Sequence, residues 1–228
     1  GLTVMGTLIA IDGVDASGKQ TQSELLYKRL TDSGIRARLV SFPDYGSESS
    51  ALVRMYLNGD FGSRPEDVNA YAASTFFAAD RFASYRRDWR GDYENGTVII
   101  ADRYVPSNMI HQASKLPDEE KGKFVEWLYD LEYNIYGLPQ PDMTIFLDMP
   151  PEYAARLMAE RENKIDHSQS KDIHERDREY LTASYKNAVS ISKRFGWQHV
   201  LCAKDGRVRT IEEINDEIMN ILKRRLSI

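Results

Sequence analysis

The stretch TLIAIDGVDASGKQT, residues Thr7 to Thr21, sets the architecture of this chain. An apolar run of strand length leads into a glycine-rich turn, and a helical pattern follows. In that order, the spacing Gly13-x-x-x-x-Gly18-Lys19 predicts a loop whose backbone N–H groups surround phosphate oxygens. The sequence therefore predicts a nucleotide phosphate site where the first strand meets the first helix.

Four more apolar runs have the length of strands. Because the interior runs are almost continuously apolar, they fit a parallel sheet that is covered on both faces. Helical patterns separate the runs, so we expect an α/β fold of the P-loop NTPase type: a three-layer sandwich with a five-stranded parallel sheet between helices. The strand-like runs lie at residues 7–12, 37–42, 97–102, 143–148 and 199–203. The helical patterns lie at about residues 18–33, 48–58, 65–89, 105–115, 118–136, 150–162, 173–195 and 210–225.

Length and composition narrow the function classes. A chain of 228 residues fits one domain, residues 1–228. With 30 Lys and Arg against 35 Asp and Glu it has no basic field for nucleic acid, and no window reaches the ~18 apolar residues of a membrane span. The one cysteine, Cys202, is expected to be a buried hydrophobe in a reducing compartment, so we expect a cytoplasmic protein. The polar stretch 160–177 reads as a lid.

Two classes of P-loop protein compete. The sequence motifs of a GTP-binding switch protein match residues Asp88–Gly91, Asn163–Asp166 and Ala203-Lys204. In such proteins the first two motifs follow buried strands, whereas here they follow helical and charged patterns. A kinase for a small phosphorylated acceptor fits better, because Asp102 ends the buried run TVIIAD, where a magnesium-linked carboxylate is expected, and Arg103 follows. Asp148 ends a similar run but is equally well explained as structural.

The blocks GVDASGKQTQ, SFPD, FFAADR, DRYVPSNMIHQ and DIHERD occur in an order that resembles the thymidylate kinase family over nearly the whole chain. The resemblance implies that Asp15 approaches the sugar hydroxyl and phosphate of the acceptor nucleotide. It implies that Phe77 stacks on the base and that Arg81 hydrogen-bonds it, while Glu175 resembles the end of the lid. The residues implied to bind dTMP are Asp15, Phe42, Pro43, Arg54, Phe77, Arg81, Arg103, Tyr104, Asn108 and Gln112.

The resemblance implies transfer of the γ-phosphoryl group of Mg-ATP to dTMP, in a homodimer. A related kinase for dUMP, UMP or CMP is the alternative. Asp102 is the predicted ligand of Mg²⁺, and Gln20, which replaces the usual Ser or Thr, can offer an amide oxygen. The predicted ATP-binding residues are Gly13, Ser17, Gly18, Lys19, Gln20, Thr21, Ala203 and Lys204.

Catalysis is assigned to Lys19, Asp15, Arg103 and a cation from the lid. Some family members carry an arginine in the P-loop, but this chain has Ala16 at that position. A closing lid can supply the missing charge, since phosphoryl transfer depends on positioning and charge neutralisation. The first candidate is Arg161, followed by Arg156 and Lys164.

Overall fold

A computed structural model describes residues 4–164, without the side chains of 162–164, and residues 178–228. Five strands form one parallel sheet in the order β2-β3-β1-β4-β5. The first strand is therefore central, with the third and fourth strands beside it. The strands are β1 (Thr7–Gly13), β2 (Ala37–Ser41), β3 (Val98–Asp102), β4 (Met143–Asp148) and β5 (Gln198–Leu201).

Helices cover both faces of this sheet, and the predicted three-layer α/β fold is confirmed. Successive side chains of β1 alternate between two cores, as strand geometry requires. Ile9 and Ile11 pack in one core, whereas Leu8 and Ala10 pack in the other, and all four are fully buried. Burial on both faces explains the uninterrupted apolar runs, and each such Leu or Ile contributes roughly 1.5–3 kcal/mol of transfer free energy.

The helices follow the predicted pattern with local departures. The predicted helix at 118–136 changes into a π-helical turn at Asp130–Ile135, and the one at 65–89 into another at Tyr85–Trp89. Short 3-10 turns occur at Glu48–Ser50, Pro65–Asp67 and Ala113–Lys115. The α-helices are α1 (Lys19–Asp32), α2 (Ala51–Leu57), α3 (Ala70–Ser84), α4 (Arg90–Glu94), α5 (Val105–His111), α6 (Asp118–Tyr129), α7 (Pro151–Lys164), α8 (Arg178–Arg194) and α9 (Ile211–Leu226). A small antiparallel hairpin of β6 (Ala203–Lys204) and β7 (Arg207–Val208) follows β5.

The topology gathers polar residues at one edge of the sheet. Since the strands are parallel, their carboxyl ends meet there, with Ile11 of β1 opposite Asp102 of β3 and Gly13 opposite Leu147 of β4. Ligands of open α/β sheets bind at this edge, where the strand order reverses. Helices in the described ranges are all too short or too polar to cross a membrane.

Candidate active site

The loop between β1 and α1 is shaped by its two glycines. A Cβ at Gly13 would lie 2.8 Å from the carbonyl oxygen of Leu147 and 2.9 Å from Ser17 Oγ. Gly18 has a φ of 89°, in the left-handed region, and its neighbour opens α1 without a side-chain cap from the described residues. The first amides and the dipole of α1 are therefore available to an anion.

Lys19 lies buried inside this loop. Its Nζ donates to the carbonyl oxygen of Val14 at 2.6 Å and to Ser17 Oγ at 3.3 Å. Both hydrogen-bond partners are neutral, and the negative charge near the ammonium comes from the carboxylates of Asp15, Asp12 and Asp102. Burial, reinforced by nearby Arg103, lowers the pKa of Lys19 to about 8. A phosphate bound in the loop would give Lys19 an anion to hydrogen-bond directly.

Arg103 joins the loop to α5. Its Nη2 donates to Asp15 Oδ1 at 2.9 Å, and its Nη1 lies 3.3 Å from His111 Nε2. Because arginine only donates, His111 accepts as a neutral ring, and burial lowers the pKa of His111 to about 3. Arg103 has a φ of 69°, a conformation that costs a non-glycine residue about 1–3 kcal/mol and is often found at functional sites.

Asp12 fixes the turn that presents Arg103. Its carboxylate is fully buried and accepts hydrogen bonds from Ser107 Oγ at 2.6 Å and from the backbone N–H of Tyr104 at 3.0 Å. Burial raises the pKa of Asp12, while these two bonds oppose the rise. Asp12 therefore has a structural role, because it holds the backbone turn that presents Arg103.

Asp102 is half-buried at the end of β3. Burial raises its pKa, and the charges of Arg103 and Lys19 oppose that rise. Within the described ranges, no group of three or more His, Cys, Asp or Glu side chains could hold a metal ion. Mg²⁺ at nucleotide sites usually takes one or two carboxylates together with phosphates and waters. Asp102 fits a metal that arrives with a nucleotide.

Two predicted nucleotide residues lie on the exposed side of α1. The Nε2 of Gln20 donates to Glu24 Oε1 at 3.1 Å on the helix surface. Thr21 is exposed on the same first turn. Metal ligation by Gln20 remains a prediction that this arrangement does not favour.

One pocket beside the loop contains eight of the ten residues predicted to bind dTMP: Asp15, Phe42, Pro43, Phe77, Arg81, Arg103, Asn108 and Gln112. Sequence reasoning missed four other lining residues: Tyr45, Leu57, Ser107 and His111. His111 follows Asn108 by three residues on α5, so helical spacing could have found it. The side-chain oxygen of Gln112 is buried and has no partner in the described residues, so it can accept a hydrogen bond from a ligand.

Phe77 forms part of the apolar wall. It is half-buried and meets Tyr56 edge to face, with ring centroids 6.0 Å apart. Phe42 is almost fully buried and packs against Trp89 and Tyr104, and its peptide bond to Pro43 is cis. An aromatic wall of this kind can hold a flat ring.

Arg81 is paired in a way that the sequence did not predict. Its Nε and Nη2 donate to the two carboxylate oxygens of Glu132 at 2.6 and 2.9 Å, and both side chains are buried. Burial alone would lower the pKa of Arg81, but Glu132 raises it. Arg81 therefore stays charged at the pocket wall.

Two predicted dTMP ligands do not line the pocket as the structure describes it. Tyr104 is fully buried, donates to the carbonyl oxygen of Pro139 at 2.8 Å and packs among aromatic rings of the core. Arg54 is exposed, and its Nη1 donates to the carbonyl oxygen of Tyr45 at 3.0 Å. Direct binding by Tyr104 is therefore not supported, while Arg54 holds the loop at the rim through Tyr45.

The predicted lid falls largely outside the described residues. Lys164 ends α7, but its side chain, Glu175 and residues 165–177 are not described. Arg156 lies over the ring of Tyr153, 5.1 Å from its centroid, and Arg161 is exposed near the end of α7. Catalysis by a lid cation stays a prediction.

The hairpin after β5 lies close to the loop. Cys202, which precedes Ala203, is buried with its Sγ 4.0 Å from the carbonyl oxygen of Ser17. Burial raises the pKa of Cys202 to about 12. The contact brings Ala203, which follows Cys202 and is predicted with Lys204 to bind ATP, near the phosphate loop.

Asp148 at the end of β4 has a structural environment. It accepts a hydrogen bond from Tyr185 at 2.7 Å and lies 2.5 Å from His199 Nε2. These contacts tie β4 to α8 and β5, which agrees with the structural alternative for this residue.

The letters that match a GTP-binding switch lie in the wrong places. Asp88 is on the π-helical turn and forms an exposed ion pair with Arg38, 2.5 Å apart, instead of ending a buried strand. Asn163 and Lys164 end a helix, and Ile165 and Asp166 lie outside the described residues.

Comparison with known proteins places the chain in a family. The thymidylate kinase family profile matches residues 11–213. The chain is 35% identical to the thymidylate kinase of Mycobacterium tuberculosis over 173 residues, covering 75% of this chain and 79% of that one. It is 26% identical over 227 residues to a probable thymidylate kinase of Thermococcus gammatolerans, covering 97% and 98%. The thymidylate kinase structure from Candida albicans shares the fold, with a TM-score of 0.71 over 96% of this chain and 92% of that one at 22% identity. This chain belongs to the thymidylate kinase family.

Proposed function

We propose that this chain transfers the γ-phosphoryl group of Mg-ATP to dTMP, giving dTDP and ADP, with the residues described above in the following roles. Membership of the thymidylate kinase family supports phosphorylation of dTMP. The observation that carries the assignment of residues is the position of Asp15, which belongs to the phosphate loop and also lines the neighbouring pocket. Donor and acceptor sites therefore share a wall.

In the transfer, a phosphate oxygen of dTMP attacks the γ-phosphorus while the bond from that phosphorus to the bridging oxygen of ADP breaks. Lys19 and the loop amides hold the donor phosphates, and Arg103 lies between the two sites, oriented by Asp15. Asp102 would hold Mg²⁺, which when bound supplies charge neutralisation at the donor phosphates. A lid cation, Arg161 first, would complete the charge around the moving group.

Substrate profiling tests the activity. We expect ADP release to be fastest with dTMP when dTMP, dUMP, UMP, CMP and dGMP are compared at equal concentration. Preference for UMP or CMP would contradict the proposal. Titration with GTP in place of ATP, without an acceptor, separates the kinase from a GTP-binding switch, for which tight GTP binding without transfer is expected.

Site variants test the assignment. Arg81→Ala should raise the KM for dTMP while leaving the KM for ATP near its original value. Asp102→Asn should raise the Mg²⁺ concentration needed for half-maximal rate, and an unchanged requirement would remove Asp102 from the metal site.

The proposal includes a homodimer and a cytoplasmic location. Leu52, Met55 and Phe61 are large apolar side chains that lie exposed on and after α2, and a second copy of the chain could cover them. Analytical ultracentrifugation of the wild type and of Leu52→Glu tests this: the wild type should sediment as a dimer, and the variant should shift toward monomer. A monomeric wild type would refute the dimer.

A further inference from the structure

Glu132 lies where a carboxylate is costly. Its side chain is fully buried, within a π-helical turn, Asp130–Ile135, that continues α6. A single-turn π-helix is uncommon and often marks a functional site. The turn closes with the N–H of Leu138 donating to the carbonyl oxygen of Glu132 at 3.0 Å. The backbone is therefore fastened at the residue that carries the buried charge.

The carboxylate of Glu132 determines which nitrogen Arg81 can offer to a ligand. Nε and Nη2 of Arg81 are both engaged by the carboxylate. The remaining nitrogen, Nη1, has no hydrogen-bond partner among the described residues, and Arg81 lines the pocket. Since a guanidinium cannot accept, Arg81 offers only a hydrogen-bond donor there.

The same carboxylate, together with the carbonyl oxygen of Ser74, determines the orientation of the Asn108 amide. Its Nδ2 donates to the carbonyl oxygen of Ser74 at 3.2 Å and to Glu132 Oε2 at 3.3 Å. Both partners are acceptors at neutral pH, so only the amide nitrogen can face them. The amide oxygen of Asn108 is left for the pocket that this residue lines, where it offers an acceptor.

A donor from Arg81 and an acceptor from Asn108 match one kind of pyrimidine edge. Thymine and uracil present a carbonyl oxygen at position 4 and an N–H at position 3, which are an acceptor followed by a donor. Cytosine presents an amino group and a bare ring nitrogen, which reverse both. We propose that Glu132 is a positioning residue that selects 4-oxo over 4-amino pyrimidine nucleotides by fixing Arg81 as donor and Asn108 as acceptor. This inference rests on the proposed function, because it assumes that the base occupies this pocket.

The test measures the ratio of kcat/KM for dTMP to kcat/KM for dCMP. Any loss of folded enzyme cancels in this ratio, so a purely structural role of Glu132 would leave it unchanged. In Glu132→Gln one carboxylate oxygen becomes an amide nitrogen, which removes one of the two acceptors of Arg81 and weakens the hold on the Asn108 amide to the carbonyl oxygen of Ser74 alone. We expect the ratio to fall by about tenfold or more. The ratio for dTMP to dUMP should stay constant, because those bases share both groups and differ only in a methyl.

Two further variants keep the test decisive. Glu132→Asp retains the charge that Arg81 requires but shortens the side chain, so it should fold even if Glu132→Gln does not, and the ratio should fall in the same direction. The control is Glu126→Gln on α6. The Glu126 side chain is 74% exposed, and its carboxylate lies 3.6 Å from Arg194. This variant should leave both ratios unchanged.

The outcomes separate this inference from the function on which it rests. Wild-type enzyme that prefers dCMP, or Arg81→Ala with an unchanged KM for dTMP, would refute the base site itself. Suppose that those two results are as expected. If either folded Glu132 variant then has the same dTMP to dCMP ratio as the wild type, only the role of Glu132 is overturned.

Discussion

The base pocket and the phosphate loop treat buried charge in opposite ways. At the base pocket, Arg81 is matched by Glu132 within the protein. At the loop, Lys19 is held by neutral oxygens and its pKa is lowered. The pocket is thus assembled before a nucleotide arrives, whereas Lys19 in the loop has an anion to hydrogen-bond directly only with phosphate present. Loss of a charge should therefore affect mainly stability in the first region and mainly turnover in the second.

Removal of Lys19 should give the largest effect and the sharpest form of this difference. Lys19→Ala should lower kcat by about 10³-fold or more, since the donor phosphates lose their fixed cation. Its unfolding free energy should change by only about 1 kcal/mol or less, because no carboxylate is left without its partner. Steady-state kinetics and urea titration measure the two quantities.

Binding of dTMP to Lys19→Ala, followed by calorimetry, should persist. Lys28→Ala, which loses only an exposed pair with Asp32, is the matched control. Near-normal turnover of Lys19→Ala would refute the assignment of the loop.

Breaking the pair in the base pocket should cost stability. Arg81→Met leaves the carboxylate of Glu132 buried without its cation, which should lower the unfolding free energy by about 3–5 kcal/mol. Adding Glu132→Leu in the same chain should recover much of that loss, although not the affinity for dTMP. Urea titration of the single and double variants measures this, and a loss below 1 kcal/mol in Arg81→Met would mean that the pair is not what holds this region.

The pH dependence of the activity should be set by Lys19 in the phosphate loop and not by the residues of the base pocket. The pKa of Lys19 in the folded protein, about 8, lies below its usual 10.5, so the free enzyme loses this charge as the pH rises above 8. The value of kcat/KM for ATP should then fall about tenfold per pH unit on the alkaline side. Between pH 8 and pH 10.5 the Lys19 side chain binds more protons in the unfolded chain than in the folded one. Lys19 therefore makes the folded state more stable relative to the unfolded state as the pH rises through this range.

The control for this pH profile is Lys19→Arg, which keeps its charge. Its rate is expected to be lower, but its alkaline limb should move to higher pH. An identical limb in both proteins would assign the titration to another group.

The smallest effect is expected at Gln20. Gln20→Ser should retain activity within about threefold, because Mg²⁺ keeps most of its waters and phosphate ligands. Any loss in Gln20→Ala should appear as a weaker dependence on Mg²⁺, measured by titration of the metal at saturating ATP. Inactivity of both variants would show that the amide acts beyond metal binding.

The fold could be predicted because its signals are local. Five buried apolar runs and a glycine-rich turn specify a parallel sheet with a phosphate loop, and each strand lies within two residues of its predicted bounds. Much of the pocket could also be predicted, since Phe77, Arg81 and Asn108 match family positions. These matches identify residue types, however, and they do not show which atoms of those residues are already hydrogen-bonded within the protein.

The missed parts depend on contacts between distant segments. Glu132 is one acidic residue in the helical pattern 118–136, and only the π-helical turn and the approach of α3 reveal its role. Tyr104 follows Arg103 in a functional block, but its ring points into the core because Asp12 fixes the backbone there. Side-chain direction at such turns is set by tertiary packing, which cannot be inferred from the neighbouring residues in the sequence.

The burial of Cys202 has a practical consequence. It is the sole thiol in the sequence, and its high pKa and buried position make it a poor nucleophile toward maleimides. A cysteine introduced at an exposed position would therefore be labelled selectively without first removing the native one. A fluorophore at Leu52→Cys would report whether that face of the enzyme is covered, and one at Lys28→Cys would serve as the reference on open surface.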